Sequence, residues 1–159
     1  MNTYNLSRNF EASIIQYLET ELTSSWSNIV VEKSFARVYD LTLPVVCIRC
    51  GVTDHVKAEI GEDATIRNAE IMIDIFATSD GQKLDIKDFI VDKIKAGIPY
   101  YEYTINNGTI QDKTLNGRMR VTDIGDAPIN FDSPKDDLDK HDRYRHLLTL
   151  NISLGKVEE

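Results

Sequence analysis

The sequence predicts an α+β fold in a single domain, a mixed and mostly antiparallel sheet packed with two main helices. Three observations carry that expectation. Residues 69–98 read as one strand, one capped helix and a marked exit. The last patterned segment, 142–154, alternates with one apolar and one polar side, and a half-solvated strand of that length suits an antiparallel or mixed sheet better than a buried parallel one. The chain has 159 residues, 42% of them hydrophobic. That is enough for one core that buries roughly two-thirds of the unfolded surface.

Taken in order, Phe10, Ile14, Tyr17, Leu18 and Leu22 recur at three- and four-residue steps, which predicts an amphipathic helix over 9–23 with Ser7 as its N-cap. Short strands are expected at 29–31 and 43–48, separated by a polar connection, with Pro44 near a strand start or edge. Residues 52–60 read as either a strand or an irregular turn. From Ala69 to Ala77 every second residue is Ala or Ile, and the alternate positions include Met72, Asp74 and Phe76, so both faces are substantially apolar and the strand belongs inside a sheet. Ser79 and Gln82 have capping-box spacing, and Ile86, Phe89, Ile90 and Ile94 follow at helical spacing. Gly97 tolerates the left-handed backbone that ends many helices, and Pro99 blocks continuation.

A tyrosine-rich strand is expected at 99–105, turning at Asn107-Gly108, and a further strand at 118–124. Residues 126–141, DAPINFDSPKDDLDKH, read as a long loop with little apolar content, one that orders only against a partner. Tyr144, His146, Leu148, Leu150, Ile152 and Leu154 share one face of the last strand, and the charged tail 156–159 is expected to fray. No internal repeat or second domain is visible.

The 26 acidic and 18 basic residues give a formal charge of −8. Such a chain repels nucleic acid, whose binding rests on Lys and Arg at phosphates. No apolar run approaches the roughly 20 residues that span a bilayer, and the first residues lack the layout of a signal peptide. No membrane association is expected, and a cytosolic product with two free thiols is.

Four groups of residues invite chemistry. Cys47 and Cys50 have the C-x-x-C spacing of zinc and dithiol sites, but the sequence offers no second pair, only scattered histidines (His55, His141, His146), and a strand that would send the two thiols to opposite faces. Asp132, Asp136, Asp137, Asp139 and Asp142 lack the glycine and glutamate of a calcium loop, and read as a solvated acidic loop or an electrostatic contact to a basic partner. Asp74 is read as a structural carboxylate bonded to a loop or paired with an arginine such as Arg120 or Arg145. Tyr100, Tyr101 and Tyr103 with Arg118 and Arg120 fit a stacking platform, a subunit contact or a packing face, and the acidic charge argues against the first. With no nucleophile elbow, metal-protease motif or phosphate loop in view, no enzyme, metal or cofactor is expected.

The order of parts resembles the tail-terminator (tail-completion) proteins of long-tailed bacteriophages: an opening helix, a proline-bearing strand LTLPVVCI, a strand of the IDIFA type, a helix ending before G-I-x-Y-Y, and a last strand R-Y-R-x-L-L-T-L-N-I. The likeness covers roughly residues 10–154 and lies in layout more than in signature residues. It implies an α+β subunit of a hexameric ring in the virion neck, assembled in the host cytoplasm. Such a ring caps the tail tube, stops its polymerisation, docks to the head-tail connector and lets DNA pass without specific binding. The tyrosine–arginine cluster and the aspartate loop are then the expected subunit and partner contacts. The alternatives are a head-completion or neck protein of the same joint and, in a different class, a small binding module with a metal or redox site at the C-x-x-C.

Overall fold

A computed structural model describes residues 5–57, 60–61 and 63–158. Its elements are helix α1 (Leu6–Ser25), strand β1 (Val30–Glu32), a 3-10 turn (Phe35–Asp40), β2 (Val45–Lys57), β3 (Thr65–Phe76), helix α2 (Asp80–Ile94), β4 (Ile98–Asn106), β5 (Thr109–Ile129), a second 3-10 turn (Lys135–Asp137) and β6 (Arg145–Glu158). The six strands form one sheet in the order β1-β2-β3-β6-β5-β4, antiparallel except for the parallel β1–β2 pair. The fold is α+β, with a mixed and mostly antiparallel sheet. Helix α2 carries the chain from the middle of the sheet to its far edge, the β4–β5 hairpin turns back, and β6 fills the slot beside β3.

Side-chain alternation divides the sheet into two faces. Ile71, Ile73 and Ile75 of β3, Val46 and Ile48 of β2, and Leu148, Leu150 and Ile152 of β6 point to the helices and meet Leu6, Ile14, Leu18, Ile86 and Ile90, all within one dry core. The opposite face is covered only at one end. There the first 3-10 turn and the strand starts enclose Val38, Val45, Cys47 and Phe76. Burial along β3 follows from this: it alternates from Arg67 to Ile73 and becomes continuous from Ile73 onward, where the second cover begins.

Several expectations shift at element boundaries. Helix α1 starts a turn earlier than its predicted 9–23, because the fully buried Leu6 extends the apolar stripe that Phe10 and Ile14 continue. Its N-cap is Asn5, without a side-chain cap bond, and Ser7 instead sits within the helix and accepts a hydrogen bond from Arg67 Nη1 at 2.8 Å. Strand β2 runs on through Lys57, past a bulge between Cys50 and Thr53. The ambiguous stretch 52–60 is therefore strand to residue 57, and residues 58 and 59 lie outside those described. Backbone pairing of β6 with β3 reaches Glu158, so the tail expected to fray is strand as far as that residue, and Glu159 lies outside the described residues.

The cap at α2 forms at the predicted residues, with the return bond of Gln82 shifted one residue, to Thr78 rather than Ser79. Gln82 N–H donates to Ser79 Oγ at 3.2 Å, and Gln82 Oε1 accepts from Thr78 N–H at 2.8 Å. Gly97 has φ +92°, and a Cβ there would stand 2.8 Å from the Met119 carbonyl oxygen, so both backbone angle and space demand glycine. The β4–β5 hairpin closes on Asn107 (φ 48°) and Gly108 (φ 77°), with Asn106 opposite Thr109.

The largest correction concerns residues 126–141. Asp126 to Ile129 belong to β5, paired with β6, and the remaining connection orders against its own chain rather than a partner. Tyr39 Oη donates to Asp142 Oδ1 at 2.8 Å, Lys135 Nζ lies 3.3 Å from Asp80 Oδ2, and the buried His141 ring places Nε2 2.7 Å from the Leu41 carbonyl oxygen. Proline and charge made this segment look unfoldable alone. Partners 55 to 103 residues away in sequence hold it.

Candidate functional site

Strand β4 is an edge of the sheet, and its outer side faces α1 rather than solvent. Two α1 residues four apart make the join, and a third, four further on, ties α1 to α2. Asn9 Oδ1 accepts from the Tyr103 N–H at 3.1 Å. Ser13 Oγ accepts from the Tyr101 N–H at 2.9 Å and donates to the Tyr101 carbonyl at 3.3 Å. Tyr17 Oη donates to the Lys93 carbonyl at the end of α2 at 2.9 Å. Asn9 and Ser13 are buried at 3% and 0% exposure, so these bonds form away from competing water and satisfy main-chain groups that an edge strand leaves open.

This geometry sorts the predicted tyrosines. Tyr100 lies in the main core and Tyr103 is buried against α1, so these two are packing residues and not an exposed contact in this conformation. Burial is also the leading cause that pushes the Tyr103 hydroxyl pKa up. Tyr101 remains half-buried, with its ring 6.2 Å from that of Tyr103 and with Lys113 Nζ 4.7 Å above it. Arg118 and Arg120 do not join this group. Arg118 stands opposite Pro99, and its Nη2 donates to the Gly97 carbonyl at 2.7 Å. Arg120 stands opposite Ser153 of β6. With Lys95 the two arginines border a cleft of about 300 Å³ beside Gly97.

Asp132, Asp136 and Asp137 are exposed on the 130–144 connection, the latter two inside its 3-10 turn. Asp139 is committed to the chain itself, accepting from the His141 backbone N–H at 2.9 Å and lying 2.8 Å from His141 Nδ1. Those two interactions, the backbone bond first, hold its carboxyl below the usual range. Among the described residues no group of three or more His, Cys, Asp or Glu side chains is placed to hold a metal ion.

Sequence reasoning foresaw one part of the polar network of the second face and missed the rest. Asp74 stands opposite Cys47 on β2 and Leu147 on β6, and its two arginines are diagonal neighbours. Arg49 Nη2 bonds one carboxylate oxygen at 2.5 Å and Arg145 Nη2 the other at 3.3 Å. Arg145 is thus the expected partner, Arg49 was not foreseen, and Arg120 takes no part. Arg145 also stacks 4.6 Å over Phe76 and 5.3 Å from Phe35. The two cysteines lie on opposite faces of β2, Cys47 buried and Cys50 exposed. Burial, reinforced by the Asp74 carboxylate, pushes the Cys47 thiol up to about 11, the reverse of what a nucleophile or metal ligand needs.

Two arms complete the surface. Residues 51–57 and 109–115 are exposed at every position, and Val52, Val56 and Leu115 stand 68%, 51% and 60% exposed. A groove of about 640 Å³ runs between the outward side of α1, Lys33 and the tip of the β4–β5 hairpin. Compared with known proteins, the chain matches no family model and no curated sequence.

Proposed function

We propose that this chain is a structural subunit of a bacteriophage head-to-tail joint, a tail terminator that caps the tail tube as a ring, stops its growth and docks to the head connector. The observation that carries the reading is the pair of arms. One strand of each arm is exposed at every position, and sheets retain such extensions with exposed valine and leucine where another chain covers them. The five segments on which the family resemblance rests support it too, since each falls on α1, β2, β3, α2 with the start of β4, or β6 of one compact body. The Arg118–Arg120 cleft and the exposed Asp132, Asp136 and Asp137 lie at opposite ends of α2 and carry opposite charge, an arrangement suited to head-to-tail contacts between neighbours in a ring. In this reading the net charge of −8 keeps DNA from adhering as it passes.

The test mixes the purified chain with tail-tube subunits of the same phage and follows tube length by negative-stain microscopy and light scattering. Rings at tube ends and arrested elongation are expected. Unhindered elongation with the chain still monomeric would overturn the proposal.

A further inference from the structure

The two edges of the sheet are treated differently. On one side β1 covers β2 only from Val45 to Cys47, and beyond that point no described strand pairs with the outer side of β2. On the other side β4 presents nine residues whose outer main-chain groups at Tyr101 and Tyr103 are already taken by Ser13 and Asn9 of α1. A strand edge bonds an incoming strand through the same N–H and C=O groups that these two side chains occupy. Both are smaller than the apolar residues around them, and both stand on the buried stripe of α1, where Phe10 and Ile14 supply the packing. Their polarity is explained by the main-chain groups they meet.

We infer that α1 is an edge lock: through Asn9 and Ser13 it masks β4, whose outer edge otherwise pairs with the open edge of β2 from a second copy of this chain. The occupant follows from the molecule's own inventory. One chain holds both an open edge, residues 48–57, and a masked edge of similar length, residues 98–106, so unmasking β4 makes each copy complementary to the next in a head-to-tail manner. Nothing in the remainder of α1 depends on the lock. Tyr17 and the Lys93–Glu21 pair at 3.3 Å tie its second half to α2. The inference concerns the isolated chain and needs neither tube nor connector, so its failure is distinct from failure of the terminator reading.

The experiment compares the parent protein with Asn9→Ala/Ser13→Ala by amide hydrogen exchange and sedimentation velocity. Exchange at Tyr101 and Tyr103 is expected to quicken about tenfold or more, the equivalent of one lost hydrogen bond at each amide. The weight-average mass is expected to climb above that of the monomer and to keep climbing with concentration, since head-to-tail contacts leave a free edge on each end and association follows mass action. Adding Val52→Lys and Val56→Lys, which charge the open edge of β2, returns the protein to monomer while exchange stays fast. Asn9→Asp, which keeps an acceptor for the Tyr103 amide, preserves slow exchange there. Should the double variant not fold, Asn9→Ala alone is read at the Tyr103 amide. Parent-like exchange at that amide, a double variant that stays monomeric, or association that survives the β2 lysines would each overturn the lock.

Discussion

The two faces of the sheet are built by different physics. The helical face is a continuous layer of Ile, Leu and Val closed by α1 and α2, each element buried along a stripe that its own local sequence displays. The opposite face is closed at one end only, by cation–aromatic and ionic contacts among Phe35, Tyr39, Asp74, Phe76, Asp142 and Arg145. Dispersion and hydrophobic burial are non-directional and tolerate small rearrangements, whereas a charge out of water depends on its partners being in place. The first face should therefore fail gradually and the second abruptly.

The largest effect is expected at Asp74. Asp74→Ala takes the shared carboxylate from Arg49 and Arg145 and leaves Arg145, itself 8% exposed, with Asp142 at 3.4 Å as its remaining acidic contact among the described residues, which should cost about 3 kcal/mol in urea unfolding. Loss below about 1 kcal/mol would show that the arginines find water and that the second face behaves like the first. On the helical face, Ile90→Ala leaves a cavity beneath α2 and should cost about 2–4 kcal/mol with unchanged unfolding slope.

Alkaline pH probes the Cys47 side of the sheet. The folded Cys47 thiol titrates near 11 against 9.0 as the reference, so the native state holds its proton where the unfolded chain has lost it. Stability from this group is complete below pH 9 and falls by about 2–3 kcal/mol as pH rises through 11. Cys47→Ala should flatten that part of the parent's pH profile, and an unaltered slope would assign it to the tyrosines or to Cys50, whose thiol burial and Glu11 push up to about 12. The smallest effect belongs to Ser79→Ala, which removes the α2 cap at about 1 kcal/mol and should be visible as a modest fall in Tm.

Legibility followed the same division. The α2 segment could be read residue by residue because a cap, a 3.6-residue period and a C-terminal glycine all act within a few positions. Asn9, Ser13 and Tyr17 did leave a trace, three polar-tipped residues at four-residue steps beside an apolar stripe, but that trace names no partner. The 130–144 connection was misread for the same reason: its Pro and Asp content describes the segment, while Tyr39, Leu41 and Asp80 decide its conformation.

What this chain determines by itself is its elements, the inward side of each and the α+β class, because hydrogen-bonding ladders and amphipathic periods are local and repeat. Only the tertiary structure decided that Tyr100 and Tyr103 turn inward, that Arg49 rather than Arg120 completes the Asp74 pair, and that one sheet edge is closed while the other stays open. Those outcomes depend on strand order, register and the path of α1 along β4, which are set when the whole core is buried at once and leave no periodic mark in any one segment.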